Sequence, residues 1–450
     1  MKLFFVSLGC DKNRVDSEKM LAIMSGHQYE ITDVPEDAEV IIVNTCGFIS
    51  DAKEESIETL LEMAEFKKEG HCRALIATGC LAQRYAAEIK EEIPEVDGIV
   101  GTTAYDQIFE VVSHVLEGQK YCCMKDLDYL PHNLTSRVPS AASYVSYLKI
   151  AEGCNKRCSY CIIPSLRGNY RSVPMEELLK EAELLAEQGA KELILVAQET
   201  TLYGLDLYGK KSLPQLLHKL AQIQGIEWIR ILYCYPEEIT DELLYTIRDE
   251  EKVCAYLDVP IQHCNDDILR AMGRQTNKKE LIERIARVRE IVPDIALRTT
   301  LISGFPGETK QQHEECVDFV ANMKFDRLGV FPYSPEEGTK AAEMEEQLED
   351  EIKRRWADEI MEAEQQVIFE ENESMVGRVF RVIVDGYLAE EDVYMARTYR
   401  DAPNVDGCVF FQAPYEIVSG TMLSVMVTDA NGYDLIGEIV SEEESYESTK

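Results

Sequence analysis

Short unbroken apolar runs alternate with longer mixed stretches along the first 120 residues. The runs are Leu3-Phe4-Phe5-Val6, Val40-Ile41-Ile42-Val43 and Ala74-Leu75-Ile76-Ala77. Continuous runs of this length suit strands buried on both faces of a parallel sheet. Helix-like stretches follow them at 16–24, 52–66 and 83–92. This βαβα alternation predicts a parallel α/β domain, Rossmann or flavodoxin-like, over residues 1–121. Residues 122–143 carry Pro131, Pro139 and a Ser/Ala-rich segment, and read as a linker.

A second alternation then begins. Strand-like runs lie at 144–150, 192–197, 228–232, 255–259, 296–302 and 327–333, with helical stretches such as 174–188, 213–222, 241–249 and 278–291 between them. Six βα units predict a partial (β/α)6 barrel over 144–374, left through the charged helical stretch 349–373. From residue 375 the pattern changes. Short β-type runs, 378–384 and 423–427 among them, are separated by glycine and aspartate turns. They predict a small antiparallel, OB-like barrel over 375–441. Residues 442–450 read as a disordered tail. The fold class is therefore multidomain α/β, without internal repeats.

Composition sharpens this. With 45% hydrophobic residues the chain is globular. No signal peptide is visible, and no stretch approaches the roughly 18 apolar residues of a membrane span. A cytoplasmic protein with no membrane partner is expected. Fourteen cysteines without a secretion signal point to a reducing compartment and metal chemistry. The net charge of −37 argues against a nucleic acid as main substrate and favours a basic protein partner. From Met375 to Lys450 there are 14 acidic and 5 basic residues, a net charge of −9.

Six cysteines carry the candidate chemistry. Cys154-Asn-Lys-Arg-Cys158-Ser-Tyr160-Cys161 follows the first strand of the second alternation. Three thiolates at this spacing can hold three irons of a cubic iron–sulfur cluster and leave the fourth open. A structural zinc site or a closed electron-transfer cluster would want four ligands. Cys10, Cys46 and Cys80 form a second set. Each follows one of the three N-terminal apolar runs and has a glycine beside it: Gly9, Gly47, Gly79. In a parallel sheet the carboxyl ends of the strands share one edge, so these three converge. Buried free cysteine is the bland alternative, improbable at three equivalent positions. Cys72, Cys122, Cys123, Cys234, Cys254, Cys264, Cys316 and Cys408 show no ligand spacing and read as spectators.

CxxxCxxC with an aromatic before its last cysteine resembles the radical S-adenosylmethionine superfamily. Further motifs resemble its methylthiotransferases: Val6-Ser7-Leu8-Gly9-Cys10, Asn44-Thr45-Cys46-Gly47-Phe48-Ile49, Thr78-Gly79-Cys80-Leu81-Ala82-Gln83-Arg84-Tyr85, Ile163-Pro164-Ser165 and Gly304-Phe305-Pro306-Gly307-Glu308-Thr309. The branch it looks like, RimO, modifies small-subunit ribosomal protein twelve. Departures are few: Asp11 stands where the branch commonly has proline, and Val173 where a basic residue is common. The resemblance implies two 4Fe-4S clusters, S-adenosylmethionine as methyl donor and radical source, a radical SAM partial barrel and a C-terminal TRAM domain. It implies that Cys154, Cys158 and Cys161 hold the radical cluster, and Cys10, Cys46 and Cys80 the sulfur-delivering one. An adenosyl radical then takes a hydrogen from an aspartate β-carbon, which collects the methylthio group. Tyr160, Gln198, Glu199, Thr200, Arg298, Ser303 and Gly304 are expected near the cofactor, with an ion pair equally open for Arg298. His263, after Gln262, is a weaker candidate. An electron donor such as flavodoxin and a sulfur source are implied partners, with a direct RNA substrate unfavoured. Two rivals stand beside this reading: a transfer-RNA adenosine methylthiotransferase, and a non-catalytic iron–sulfur or zinc scaffold.

Overall fold

The computed structural model describes residues 1–132, 134–139 and 144–440. Part of the expected linker (133 and 140–143) and the expected tail at 442–450 lie outside the described residues. The chain divides into two compact units. One comprises Met1–Gln188, Leu195–Ser212 and Ser334–Glu343; the other comprises Gly189–Ile194, Leu213–Tyr333 and the chain from Met344 onward.

In the first unit, β1 (Lys2–Ser7), β2 (Glu30–Ile31), β3 (Val40–Thr45), β4 (Ala74–Thr78), β5 (Gly98–Val100) and β6 (Tyr121–Cys123) form a parallel sheet of order β2-β1-β3-β4-β5-β6. The unbroken apolar run of β3 has a direct cause. Val40 and Ile42 pack on one face with Met20, Met24 and Val111. Ile41 and Val43 pack on the other with Leu60, Met63 and Ile89. Both faces are covered, so the run from Val40 to Val43 is apolar at every position. The helical stretch at 83–92 is broken at Tyr85 into helices Gly79–Arg84 and Ala86–Glu92. Cys122 and Cys123, read from sequence as linker, belong to β6.

Further strands are β7 (Val145–Lys149), β8 (Ala151–Glu152), β9 (Arg171–Ser172), β10 (Glu192–Val196), β11 (Trp228–Ile231), β12 (Val253–Asp258), β13 (Ala296–Ser303) and β14 (Arg327–Pro332). They form a six-stranded sheet of order β14-β13-β12-β11-β10-β7, which does not close, and a two-stranded ribbon of β8 and β9. The pairs β11–β12, β12–β13 and β13–β14 run parallel.

In the second unit, β15 (Val379–Leu388), β16 (Val393–Thr398), β17 (Val409–Gln412), β18 (Met422–Asn431) and β19 (Asp434–Ile439) close a barrel of order β15-β16-β17-β19-β18. Phe380, Val382, Val384, Phe411, Val425 and Val427 fill it. The expected antiparallel barrel is present, with one parallel pair, β17 and β19. β19 turns tightly back from β18 and must oppose it. Closing the ring against β17 then leaves both strands running the same way. Among the described residues, no helix is long and apolar enough to cross a membrane.

Candidate metal centres

The first centre is built at the carboxyl ends of β1, β3 and β4. Cys10 caps the helix Asp11–Gly26, Cys46 follows β3 directly, and Cys80 is the second residue of helix Gly79–Arg84. The glycines beside them make the three loops interlock. A Cβ on Gly9 would lie 2.8 Å from Cys46 Cβ, and one on Gly47 would lie 2.9 Å from the Leu81 nitrogen. At Gly79, where φ is +91°, it would lie 2.4 Å from the Thr45 carbonyl oxygen. Each loop therefore abuts the next at a point where no side chain fits. Buried Asn13 locks the arrangement. Its Nδ2 donates to the carbonyls of Leu8 (3.1 Å) and Thr45 (3.0 Å), and its Oδ1 lies 3.9 Å from Cys80 Sγ. The Ser56 hydroxyl accepts from the Cys46 amide at 2.9 Å. Burial pushes the Cys80 thiol up to about 11 against the opposing pull of Arg167, and the charges of Cys10 and Cys46 add to the rise. The three thiols thus sense one another electrostatically.

The second set lies on the loop after β8. Gly153 (φ +78°) passes so close to Asn169 that a Cβ would lie 2.1 Å from its carbonyl oxygen. Only glycine can bring the chain into Cys154 there. The Cys154 amide donates to the Gly168 carbonyl at 3.1 Å, and the Cys161 amide to that of Cys158 at 3.1 Å. Cys154 and Cys158 are buried, while Cys161 and Tyr160 are half-buried. Burial pushes the Cys154 thiol to about 11, with the charges of Glu199 and Cys158 adding to the rise. Iron binding must displace these protons, so assembly releases them.

Gln198, Glu199 and Thr200 follow β10, as expected. Gln198 Nε2 donates to Glu152 Oε1 at 2.8 Å, and the Thr201 amide donates to Glu199 Oε1 at 2.9 Å. Gln198 Oε1 is buried and lacks a hydrogen-bond partner among the described residues. In the second unit, Ser303 ends β13 and its hydroxyl is orphaned in the same way. The Gly304 amide donates to Glu308 Oε2 at 2.7 Å. Buried orphans cost about 1–3 kcal/mol each, so each of these atoms, in its own unit, is available to a polar ligand. Arg298 is the third residue of β13 rather than its end, and it pairs with Asp258 (3.1 Å) and Asp406 (3.4 Å), the ion pair that the sequence left open beside cofactor contact.

Two spectators prove to be neighbours. His263, Cys264 and Cys316 bring ligand atoms within 4.8 Å of one another, and all three are buried. The Asn265 amide donates to His263 Nδ1 at 3.0 Å, which leaves the ring proton on Nε2, 3.3 Å from Glu308 Oε1. Cys316 Sγ lies 3.4 Å from the same Nε2, so both ring nitrogens have polar neighbours, and the group reads as a core cluster rather than a metal site.

Neither expected cysteine set forms such a tight group among the described residues. Around one tetrahedral zinc, sulfurs would lie about 3.8 Å apart, given Zn–S bonds of about 2.3 Å. Sets wider than that, composed only of soft thiols, fit a cluster rather than a single ion.

Family models match three segments: the uncharacterized protein family UPF0004 over residues 2–101, the radical SAM superfamily over 148–320, and the TRAM domain over 376–440. A protein of Lachnoclostridium phytofermentans named ribosomal protein uS12 methylthiotransferase RimO is 57% identical over 437 residues, covering 97% of this chain and 99% of its own. The chain belongs to the RimO family. RimO proteins of Clostridium botulinum and Clostridioides difficile are 48% and 45% identical, each over 98% of this chain. The radical S-adenosylmethionine methyltransferase TsrM of Kitasatospora setae shares the fold, with 15% identity, a TM-score of 0.53 and 74% of each chain covered.

The sequence reading gave no role to the buried polar residues around the RimO-family cysteines: Asn13, Asp16, Lys149, Glu152 and Arg167. A signal existed. Lys149 and Glu152 are charged residues within an otherwise apolar run leading into Cys154.

Proposed function

We propose that this chain replaces a hydrogen on the β-carbon of an aspartate in ribosomal protein uS12 with a methylthio group. The observation that carries this reading is near-full-length identity of 45–57% to RimO proteins, on a chain with both cysteine triplets. In this reading Cys154, Cys158 and Cys161 hold one 4Fe-4S cluster with an open iron, and Cys10, Cys46 and Cys80 hold a second. Bound there with S-adenosylmethionine, the two clusters supply one-electron cleavage chemistry and sulfur. The protein's own residues do the rest. Asn13 and the three glycines hold the first thiol set in register. Gly153 brings Cys154 into the second loop, while Gln198 Oε1 offers a hydrogen bond to a polar cofactor. An unactivated C–H bond has no acidic proton, so the site needs seclusion from water rather than a general base. The reaction belongs to the cytoplasm, with a flavodoxin-type electron donor and a sulfur source.

Charge favours a basic protein over transfer RNA. All four described arginines of the C-terminal barrel pair with carboxylates of the same unit: Arg378 with Asp294, Arg381 with Glu227, Arg397 with Asp385 and Glu192, Arg400 with Asp326. The exposed Glu390, Glu391, Asp392, Glu416, Asp429 and Glu438 face solvent as net negative charge. A phosphate backbone would be repelled there. The test is anaerobic turnover of the reconstituted enzyme with uS12 and transfer RNA offered together, read by mass spectrometry. Methylthio-aspartate in uS12 is expected; methylthiolated adenosine with untouched uS12 would overturn the substrate assignment.

A further inference from the structure

The buried polar group around Arg167 has no part in the chemistry above. Arg167 ends helix Ile163–Arg167 and is 2% exposed. Its Nη1 donates to Asp16 Oδ2 at 2.8 Å and to Glu152 Oε2 at 3.1 Å, and its Nη2 donates to Asn13 Oδ1. Lys149 Nζ bonds the same two carboxylates, at 2.7 Å to Glu152 Oε2. Glu152 Oε1 accepts from Gln198 Nε2 at 2.8 Å and from the Gly153 amide at 3.3 Å. Two cations and two carboxylates thus form a closed quartet, each member more than nine-tenths buried. Its charges balance, and loss of one member leaves an uncompensated buried charge.

The quartet touches both cysteine sets. Arg167 Nη2 donates to Asn13 Oδ1, the same oxygen that lies 3.9 Å from Cys80 Sγ, and its charge opposes the rise that burial imposes on the Cys80 and Cys46 thiols. At the other end, Glu152 and Gly153 lead directly into Cys154, whose amide donates to Gly168, the residue after Arg167. The first set faces the Arg167 cation, whereas Cys154 senses both the carboxylate of Glu199 and the ammonium of Lys156.

We propose that Arg167 is a positioning residue that sets the reduction potential of the centre on Cys10, Cys46 and Cys80, held there by Asp16, Lys149 and Glu152. The inference rests on the reading of those cysteines as cluster ligands. One-electron reduction adds one negative charge to the centre. A fixed cation beside a ligating thiolate, in a dry interior, stabilises the reduced form and raises the potential.

The test is a mediated redox titration of the full, reconstituted chain by electron paramagnetic resonance. The signal of the first centre is identified as the one absent in Cys46→Ala. The Asp16→Asn/Arg167→Gln pair keeps the buried charges balanced while removing the cation. At a fixed potential its first centre is expected to show at least a tenfold lower reduced-to-oxidised ratio. For one electron that is a midpoint about 59 mV more negative. Arg167→Lys should move the ratio less than threefold, and the second centre's midpoint should stay in place. A pair variant that titrates like the wild type, or one that shifts both centres equally, overturns the proposal. Should the pair variant not hold the first centre, Glu152→Gln, which relieves the guanidinium of one carboxylate, is expected to move the same midpoint upward. No upward shift there also overturns it. A wild-type chain without any Cys46-dependent signal would instead overturn the ligand reading.

Discussion

At the scale of single residues, glycine decides where three thiols sit. Gly9, Gly47 and Gly79 each abut the neighbouring cysteine loop more closely than any Cβ allows. Gly47 is the cleanest test, because it lacks a positive φ and is constrained by packing alone. Gly47→Ala is expected to cost about 1–3 kcal/mol of stability, as overpacking does. It should lower iron at the first centre while leaving cleavage of S-adenosylmethionine in place. Iron analysis beside a 5′-deoxyadenosine assay reads both. The cysteines and their flanking glycines were legible in the sequence, because strand, turn and thiol recur three times. Arg167 was not. Its partners Asn13, Asp16 and Glu152 are distant in the chain, and nothing local marks a pairing that only the fold creates. Arg298 was left open between an ion pair and the cofactor. Its strand was recognised, but an ion pair with Asp258 and Asp406 depends on positions that one strand's pattern does not contain.

At the scale of elements, continuous apolar runs gave the buried strands β3 and β4, since both faces are covered. The short strands β2, β5 and β6 escaped because two or three residues carry no readable period. The long helix Asp350–Ser374 carries a titrating group of its own. Glu364 is 1% exposed, its Oε2 accepts from the Tyr433 hydroxyl at 2.9 Å, and burial raises its carboxyl to about 7. A raised folded-state value means the folded chain holds the proton more tightly than the unfolded one. That stability is fully present below the ordinary value of 4.5 and is lost as pH rises through 7. Glu364→Gln should therefore match the wild type near pH 4.5. At pH 8.5 it should be more stable by about 1–3 kcal/mol. Calorimetric melting at the two pH values checks this; equal stabilisation at both would exclude titration as the cause.

At the scale of the whole molecule, charge is the feature that reaches beyond the active residues. The net charge of −37 was visible from composition, but its distribution was not. The structure adds that the barrel's described arginines all lie in ion pairs, leaving acidic side chains outward. Replacing Glu390, Glu391 and Asp392 together by lysine should slow association with uS12 by about tenfold at low salt, the order expected for lost steering. The difference should shrink as salt rises, because the screening length is about 8–10 Å at physiological ionic strength. Stopped-flow association across a salt series measures it, and cofactor cleavage without uS12 should be unchanged.

Two thiol sites with separate tasks are the central claim, and paired cysteine variants test it most directly. Cys158→Ala and Cys46→Ala are reconstituted anaerobically and assayed side by side for iron, 5′-deoxyadenosine and methylthiolated uS12. Each should retain about half the iron, since one of two similar clusters is lost. Cys158→Ala should form no 5′-deoxyadenosine. Cys46→Ala should still form it yet transfer no methylthio group. Normal cofactor cleavage by Cys158→Ala, or undiminished iron and product from Cys46→Ala, would contradict the division of labour.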